Sequence, residues 1–283
     1  LTGDVEILGA ERLDDLGQLQ ATAERIFGRG QRRAGWFRRK LNREGVDPRL
    51  SAIAMRGEEL LGYALLGRLP SLGPVARGAG VGVIDRARGS GIGRALLDFV
   101  GQRAGAAGCE AIEFLAEPRR LDWYLGQGFS TIEQQLTLLA LGLGPEGAPR
   151  LEASVSQRGP VAALGSEALW SWLPEAWQRT PADERAMIQL EGRASRARAR
   201  LWLTREGRAW LVHRLELSPP TRTVELDALR ELGTQLRRRV APTTPLLLYP
   251  CAADSPWLGA LYAAGFELAQ RSFVVRRPTS WIG

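Results

Sequence analysis

Three glycines in five positions, Gly89, Gly91 and Gly93, interrupt the segment RARGSGIGRALL (86–97) just ahead of an apolar-periodic run. No other feature constrains the chain as much. Without Cβ atoms the backbone reaches positive φ freely and lets a ligand approach closely. The preceding GAGVGVI (78–84) reads as a glycine-diluted strand. Apolar or small residues at 92, 95, 96, 99, 100 and 104 read as one face of an amphipathic helix. Strand, bare loop and helix in that order place unsatisfied first-turn N–H groups and the positive end of a helix dipole at the loop, an arrangement that binds phosphate. Arg86, Arg88 and Arg94 add full charges beside it. A plain β–α turn requires neither the glycines nor the arginines.

Spacing separates the phosphate loops that use this physics. A P-loop needs Gly-Lys-Ser/Thr, and the only lysine, Lys40, lies elsewhere. A dinucleotide loop needs G-x-G-x-x-G, and here the third glycine is misplaced. A nucleophile elbow needs G-x-S-x-G, and Arg88 stands where its first glycine belongs. What remains is R-x-x-G-x-G, made by Arg88, Gly91 and Gly93.

The surrounding pattern gives element order. EILGA (6–10) is a strand, 13–27 a helix and AGWFRRKLNREG a second helix. A hairpin turns at Gly57, AIEFL (111–115) is a strand, RLDWYLGQGF a short helix ending in glycine, and 130–141 a closing strand. LGLGPEGAPR (141–150) concentrates Gly and Pro and is the expected boundary between domains 1–144 and 145–283. Beyond it the same order returns. Helices are expected in SEALWSWLPEAW, PADERAMIQLEG and ELDALRELGTQLRRRV, a hairpin in RARLWLT and AWLVHRLEL, and strands in PLLLYP and LAQRSFVVRR. Gly128-Phe129 and Gly265-Phe266 lie 137 residues apart, and the same offset carries Ile92 to Leu229 and Ile112 to Tyr249. Two diverged copies of one unit follow.

These residues resemble the GNAT superfamily of acyl-CoA-dependent N-acyltransferases. Its coenzyme A loop is R-x-x-G-x-G, and it places a tyrosine four residues before a Gly-Phe pair, as Tyr124 stands before Gly128-Phe129. The resemblance covers residues 5–141 in element order. It implies an α/β fold of two tandem units, each a mostly antiparallel sheet flanked by helices, with a splayed parallel strand pair at the cofactor site; the two-unit arrangement is similar in architecture to that of mycothiol synthase. It also implies acetyl-CoA as cofactor. The backbone of Val81, Val83 and Ile84 would pair with the pantetheine arm, and the loop from Arg86 and Arg88 through Gly89, Ser90, Gly91, Ile92 and Gly93 to Arg94 would cradle the pyrophosphate. Tyr124 would protonate the leaving thiolate, and a strand N–H near Val83 would stabilise the oxyanion. Two departures stand out. Glu117 replaces a common Asn, and the strand before the loop has no acid until Asp85, which leaves Glu117 or Glu113 as the general base. The expected function is direct transfer of an acetyl group to an amine of a small molecule or peptide. The alternative is a non-catalytic acyl-CoA-binding sensor.

The offset of 137 carries the loop onto residues 225–230, which hold no glycine and two acids, so the second copy is expected to lack the pyrophosphate site. One histidine and two distant cysteines exclude most metal and Ser-His chemistry, and no metal is expected. Cysteine usage and the lack of a leader or membrane-length apolar run lead to the expectation of a cytoplasmic monomer or homodimer. The net charge of +7 is spread over both halves, and 37 of 38 cations are arginine, a skew of composition more than of function. The run 25–43 has eight cations and no acid. A solvated face is the expectation, with an acidic acceptor or nucleic acid stacked on Trp36 and Phe37 as alternatives; no nucleic-acid motif accompanies it. His213, in an alternating strand, is expected to be structural.

Overall fold

The computed structural model describes residues 4–28, 35–68, 73–140, 168–170, 176–191, 198–206, 209–218, 245–255, 258–263 and 265–281. The chain forms two compact units, Leu1–Ile132 with Phe273–Gly283, and Glu133–Ser272. The expected boundary at 144/145 and the Gly/Pro-rich 141–150 lie outside the described residues, as does the second long helix expected at 225–240. No helix among the described residues is long and apolar enough to cross a membrane.

The first unit is a sheet in the order β1 (Glu6–Gly9), β2 (Ala52–Arg56), β3 (Glu59–Arg68), β4 (Val75–Val83), β5 (Ala111–Ala116) and residues 273–278 of β12 (Glu267–Pro278). All neighbours are antiparallel except β4 and β5. Helix α1 (Leu16–Phe27) starts where the Asp15 carboxylate accepts from the Gly17 N–H and stops at Gly28. With α2 (Trp36–Arg43) it covers one face, burying Leu19, Ala23, Trp36 and Phe37 against Ile53, Tyr63 and Leu65. Trp36 and Phe37 are therefore core residues and offer no stacking surface to a base. Helix α3 (Ile92–Ala106) covers the other face, packing Leu96, Leu97 and Val100 on Leu61, Ile112 and Phe114.

Strands β4 and β5 pair only from Val75↔Ala111 to Arg77↔Glu113 and then part. Three local features drive them apart. Gly78 faces the Phe114 ring so closely that a Cβ would overlap it. Ala79 is an extra residue against β3, a bulge that bends and twists the strand. Gly80 follows at φ +130°, a conformation open only to glycine. Lys40 Nζ donates to the bulged Ala79 carbonyl at 2.8 Å and pairs with Glu44.

The second unit repeats the plan. Residues 133–140 of β6 (Ser130–Ala140) pair with β11 (Leu246–Ala252), followed in order by β10 (Ala209–Ser218), β9 (Arg198–Glu206) and β8 (Arg185–Glu191). β10 and β11 are parallel over Trp210–Val212, and His213 is then the extra residue against β9, buried with Nε2 2.7 Å from Thr204 Oγ1. The same bulge thus follows the same parallel pair in both units. The short helices α4 (Leu121–Leu125) and α6 (Leu258–Ala263) also keep the 137-residue offset.

Two helical expectations fail here. PADERAMIQLEG forms a short turn and then strand β8, because pairing with β9 from Arg185 to Glu191 outweighs its helix-forming residues. Across SEALWSWLPEAW and the two residues after it, Ala168–Trp170 is a strand, β7, antiparallel to β10 at Arg214–Glu216, and among the described residues Ala176–Arg179 (α5) is helical.

One row of side chains ties β4, β5 and β12. Glu113, 2 % exposed, accepts from Arg77 Nε at 3.0 Å and from Arg276 Nε at 2.7 Å. Glu113→Ala leaves two guanidiniums against an apolar floor. It is expected to lower unfolding stability by about 3 kcal/mol in urea titration, the low end for breaking a buried pair because Arg276 is partly in solvent.

Candidate acyl-cofactor site

The open edge of β4 is the first element of the site. Past Arg77 no described strand pairs with it on the β5 side. The Ile84 N–H donates to Leu61 on β3, so the neighbouring Val83 presents its N–H and carbonyl to the open side, and Val81 does the same by alternation. Arg88 Nε reaches the Val83 carbonyl from that side at 3.2 Å. An extended chain laid along this edge meets the Val81 and Val83 N–H groups as a further strand would.

The loop follows at once. Residues 85–87 make one short turn, and Gly89 and Gly91 then take φ of +78° and +82°. A Cβ at either would meet nothing within 4 Å, so it is backbone conformation and open space, not packing, that call for glycine. Gly93 differs: a Cβ there would stand 3.0 Å from the Trp123 ring. Gly91 is the N-cap of α3 and supplies no side-chain acceptor. The first helical bond shown from this turn is Ala95 N–H to the Gly91 carbonyl, leaving the N–H groups of Ile92, Gly93 and Arg94 outside the helical ladder. Ser90 Oγ turns inward to the Ala87 carbonyl at 2.7 Å. The arginines lean on acids: Arg86 on Glu59, Arg88 on Asp85 at 2.7 Å and Arg94 on Asp98 at 3.7 Å. The residues fit a diphosphate ester with an extended arm, having donors without acceptors at the helix end, cations around them and a vacant strand edge leading away.

Tyr124 lies on α4 in the same buried cluster as Val83, Ile84 and Ile92. Its ring packs on Phe129, Phe114 and Trp123, and only 5 % of the residue is exposed. Burial raises the phenol well above its ordinary pKa, and the nearby Glu117 charge raises it further. Glu117 caps the turn before α4 and pairs with Arg119 at 2.6 Å at the surface. Glu113 is placed differently. Ile112, Phe114 and Ala116 face the cluster that holds Tyr124, so alternation sends Glu113 to the opposite face, where both oxygens accept from arginines.

Several residues at this site carry no local sequence mark. Arg277, from β12, contacts both α3 and the turn after α4, and Trp281 packs where a Cβ on Gly128 would stand. Only the strand-like alternation of SFVVRR hinted at their element. Among the described residues no group of His, Cys, Asp and Glu is placed to hold a metal ion.

A sequence profile of the acetyltransferase (GNAT) family matches residues 16–129. No curated protein matches the sequence. Among solved structures, a candidate acetyltransferase from Pyrococcus horikoshii superposes with a TM-score of 0.64 at 12 % identity, covering 97 % of this chain and 89 % of its own. A tandem GNAT protein from the clavulanic acid biosynthesis pathway gives 0.60 at 17 % identity, over 99 % of this chain and 100 % of its own. A GCN5-related N-acetyltransferase from Anabaena variabilis gives 0.53 at 11 % identity, over 98 % and 73 %. Residues 16–129 thus match the acetyltransferase (GNAT) family, in a chain that shares the tandem GNAT fold.

Proposed function

We propose that the first unit is an N-acetyltransferase that moves an acetyl group from acetyl-CoA directly to the amine of a small molecule or peptide. The observation that carries this is the junction of an open β4 edge, an uncapped α3 N-terminus behind two positive-φ glycines, and a buried tyrosine in one cluster. Acetyl-CoA supplies an activated thioester carbonyl. The chain supplies the rest. The α3 N–H groups of Ile92 to Arg94, with Arg86, Arg88 and Arg94, hold the diphosphate. Val81 and Val83 align the arm, and the Val83 N–H stabilises negative charge on the carbonyl oxygen. As the amine nitrogen bonds to the carbonyl carbon and the C–S bond breaks, Tyr124 gives its proton to the sulfur. The amine's proton leaves through water to Glu117. Because burial and Glu117 hold the phenol above its ordinary range near 10, Tyr124 stays protonated throughout neutral pH, as a donor must. Neither cysteine is suited to a covalent acyl intermediate: both are buried, and burial pushes the Cys251 thiol up to about 11.

The second unit is assigned no cofactor. Its residues 225–230, which lie outside the described structure, carry two acids, Glu225 and Asp227, in the positions of Arg88 and Ser90, and Leu226, Ala228 and Arg230 in those of the three glycines. In addition, β7 pairs with β10 just past the parallel pair, on the edge that β4 leaves open.

The test is thiol release from acetyl-CoA with a panel of amino acids, polyamines and short peptides, beside calorimetry with coenzyme A. Wild type is expected to bind one coenzyme A per chain; two, or a single one retained after Gly91→Val, would contradict the assignment to the first unit. Tyr124→Phe is expected to lower kcat about 100-fold with coenzyme A affinity nearly unchanged. Glu117→Gln is expected to abolish the acidic limb of the pH–rate profile, and an unchanged profile excludes Glu117 as the base. Tight binding without turnover on any amine would leave the sensor reading in place of the enzyme.

A further inference from the structure

We propose that Arg277, contributed by the strand that follows the second unit, is a positioning residue for this reaction: it locks α3, which presents the phosphate site, to α4, which presents Tyr124. The inference rests on the functional reading above and adds a residue outside the matched domain.

Two consecutive arginines leave β12 on opposite faces of the sheet. Arg276 turns to Glu113, and Arg277 turns with Val275 toward α3. The Arg277 side chain is only 3 % exposed. Its Nη2 donates to the Leu97 carbonyl at 2.6 Å, and its Nη1 donates to Asp98 Oδ1 at 2.9 Å and to the Gln127 carbonyl at 3.2 Å. The first two acceptors belong to α3, and the third to the turn directly after α4. The guanidinium also lies 5.1 Å from the Phe129 ring centroid and 4.7 Å from that of Trp281. A Cβ at Gly101 would press on Nη2 at 3.0 Å, so the helix is bare where the guanidinium crosses it.

These contacts lead to both functional ends. Asp98 holds Arg277 through one oxygen and faces Arg94 through the other at 3.7 Å, so the aspartate shares its charge between the lock and the phosphate site. Phe129 stands edge-on to Tyr124, with centroids 5.3 Å apart, and the Phe129 N–H donates to the Tyr124 carbonyl. A planar, always-charged fork that reaches two carbonyls and a carboxylate on two elements fixes their separation in a way a single ammonium cannot. The thioester sulfur must lie within a proton's reach of Tyr124 while the diphosphate sits on α3, so this separation sets the geometry of the transfer.

The test compares wild type, Arg277→Lys, Arg277→Met, Tyr124→Phe and the Arg277→Met/Tyr124→Phe double variant. Coenzyme A affinity is read by calorimetry and kcat with acetyl-CoA and the amine that wild type turns over fastest. Arg277→Met is expected to lower kcat at least tenfold, and Arg277→Lys to recover part of that. On the Tyr124→Phe background Arg277→Met is expected to lower kcat less than twofold further, because the positioned proton donor is already gone. A full tenfold loss on both backgrounds, or no loss in the single variant, overturns the inference. Should Arg277→Met not fold, Asp98→Asn keeps both carbonyl bonds and removes the shared charge. It is expected to lower kcat several-fold by loosening the lock, with no rise in the coenzyme A Kd because Arg94 loses a competing carboxylate, and an unchanged kcat counts against the proposal. A wild type that neither binds coenzyme A nor turns over defeats the functional reading and this inference together. An active wild type with indifferent Arg277 and Asp98 variants defeats this inference alone.

Discussion

The first unit depends on one buried carboxylate. Glu113 stands on the last rung where β4 and β5 are still paired, with Arg77 beside it on one strand and Arg276 on the other. A lone ionised carboxylate here would be expelled from the interior. Flanked by two cations, it becomes a polar rivet through three strands, placed where the sheet is about to open. The parting beyond this rung gives β4 a free edge, and a free edge inside a sheet is hazardous unless its base is held firmly. The ion row holds the base, and Phe114 over Gly78 holds the gap apart.

Seven glycines in and around the site are called for by different physical reasons. Gly80, Gly89 and Gly91 are needed for positive φ, and they shape the edge and the loop. Gly78, Gly93 and Gly101 are needed because an aromatic ring or a guanidinium occupies the space of a Cβ. Gly128 is needed for both reasons, since its φ is +80° and Trp281 fills its vacant side. The pair Gly128-Phe129 therefore records the docking of a distant segment: the glycine admits Trp281, and the phenylalanine ring faces Arg277.

What the sequence made legible was local. The loop from Arg88 to Arg94 and the helix after it form within a few residues of one another, and glycine spacing was enough to find them. The strands of the first unit showed their alternation, and the repeat survived as a parallel pair followed by a bulge in each unit, although these no longer keep the 137-residue offset. What was not legible is decided at long range. Nothing near Glu113 marks it as an ion-pair partner, because its partners lie 36 residues before it and 163 after. Strand β8 has the composition of a helix, and the pairing offered by β9 overrides it. No local pattern shows that Arg277 and not Arg276 will lie against α3, since an arginine in an alternating strand is ordinarily a solvent-facing residue.

The placement of β12 also bears on how the protein is made. Ribosomes extend a chain at roughly 5–20 residues per second, so Phe273 emerges on the order of ten seconds after Ile132. Throughout that interval the nascent first unit exposes the β5 edge, with Glu113 lacking Arg276 and α3 lacking Arg277. It can collapse, yet it cannot close, until the whole intervening unit has been synthesised. Contacts spanning 163 to 180 residues raise the contact order of a domain whose other pairings are short-range, and they make its last folding step wait on translation. A ribosome that stalls within the second unit would therefore release a first unit with an unpaired strand edge, a species for chaperones and proteases to remove.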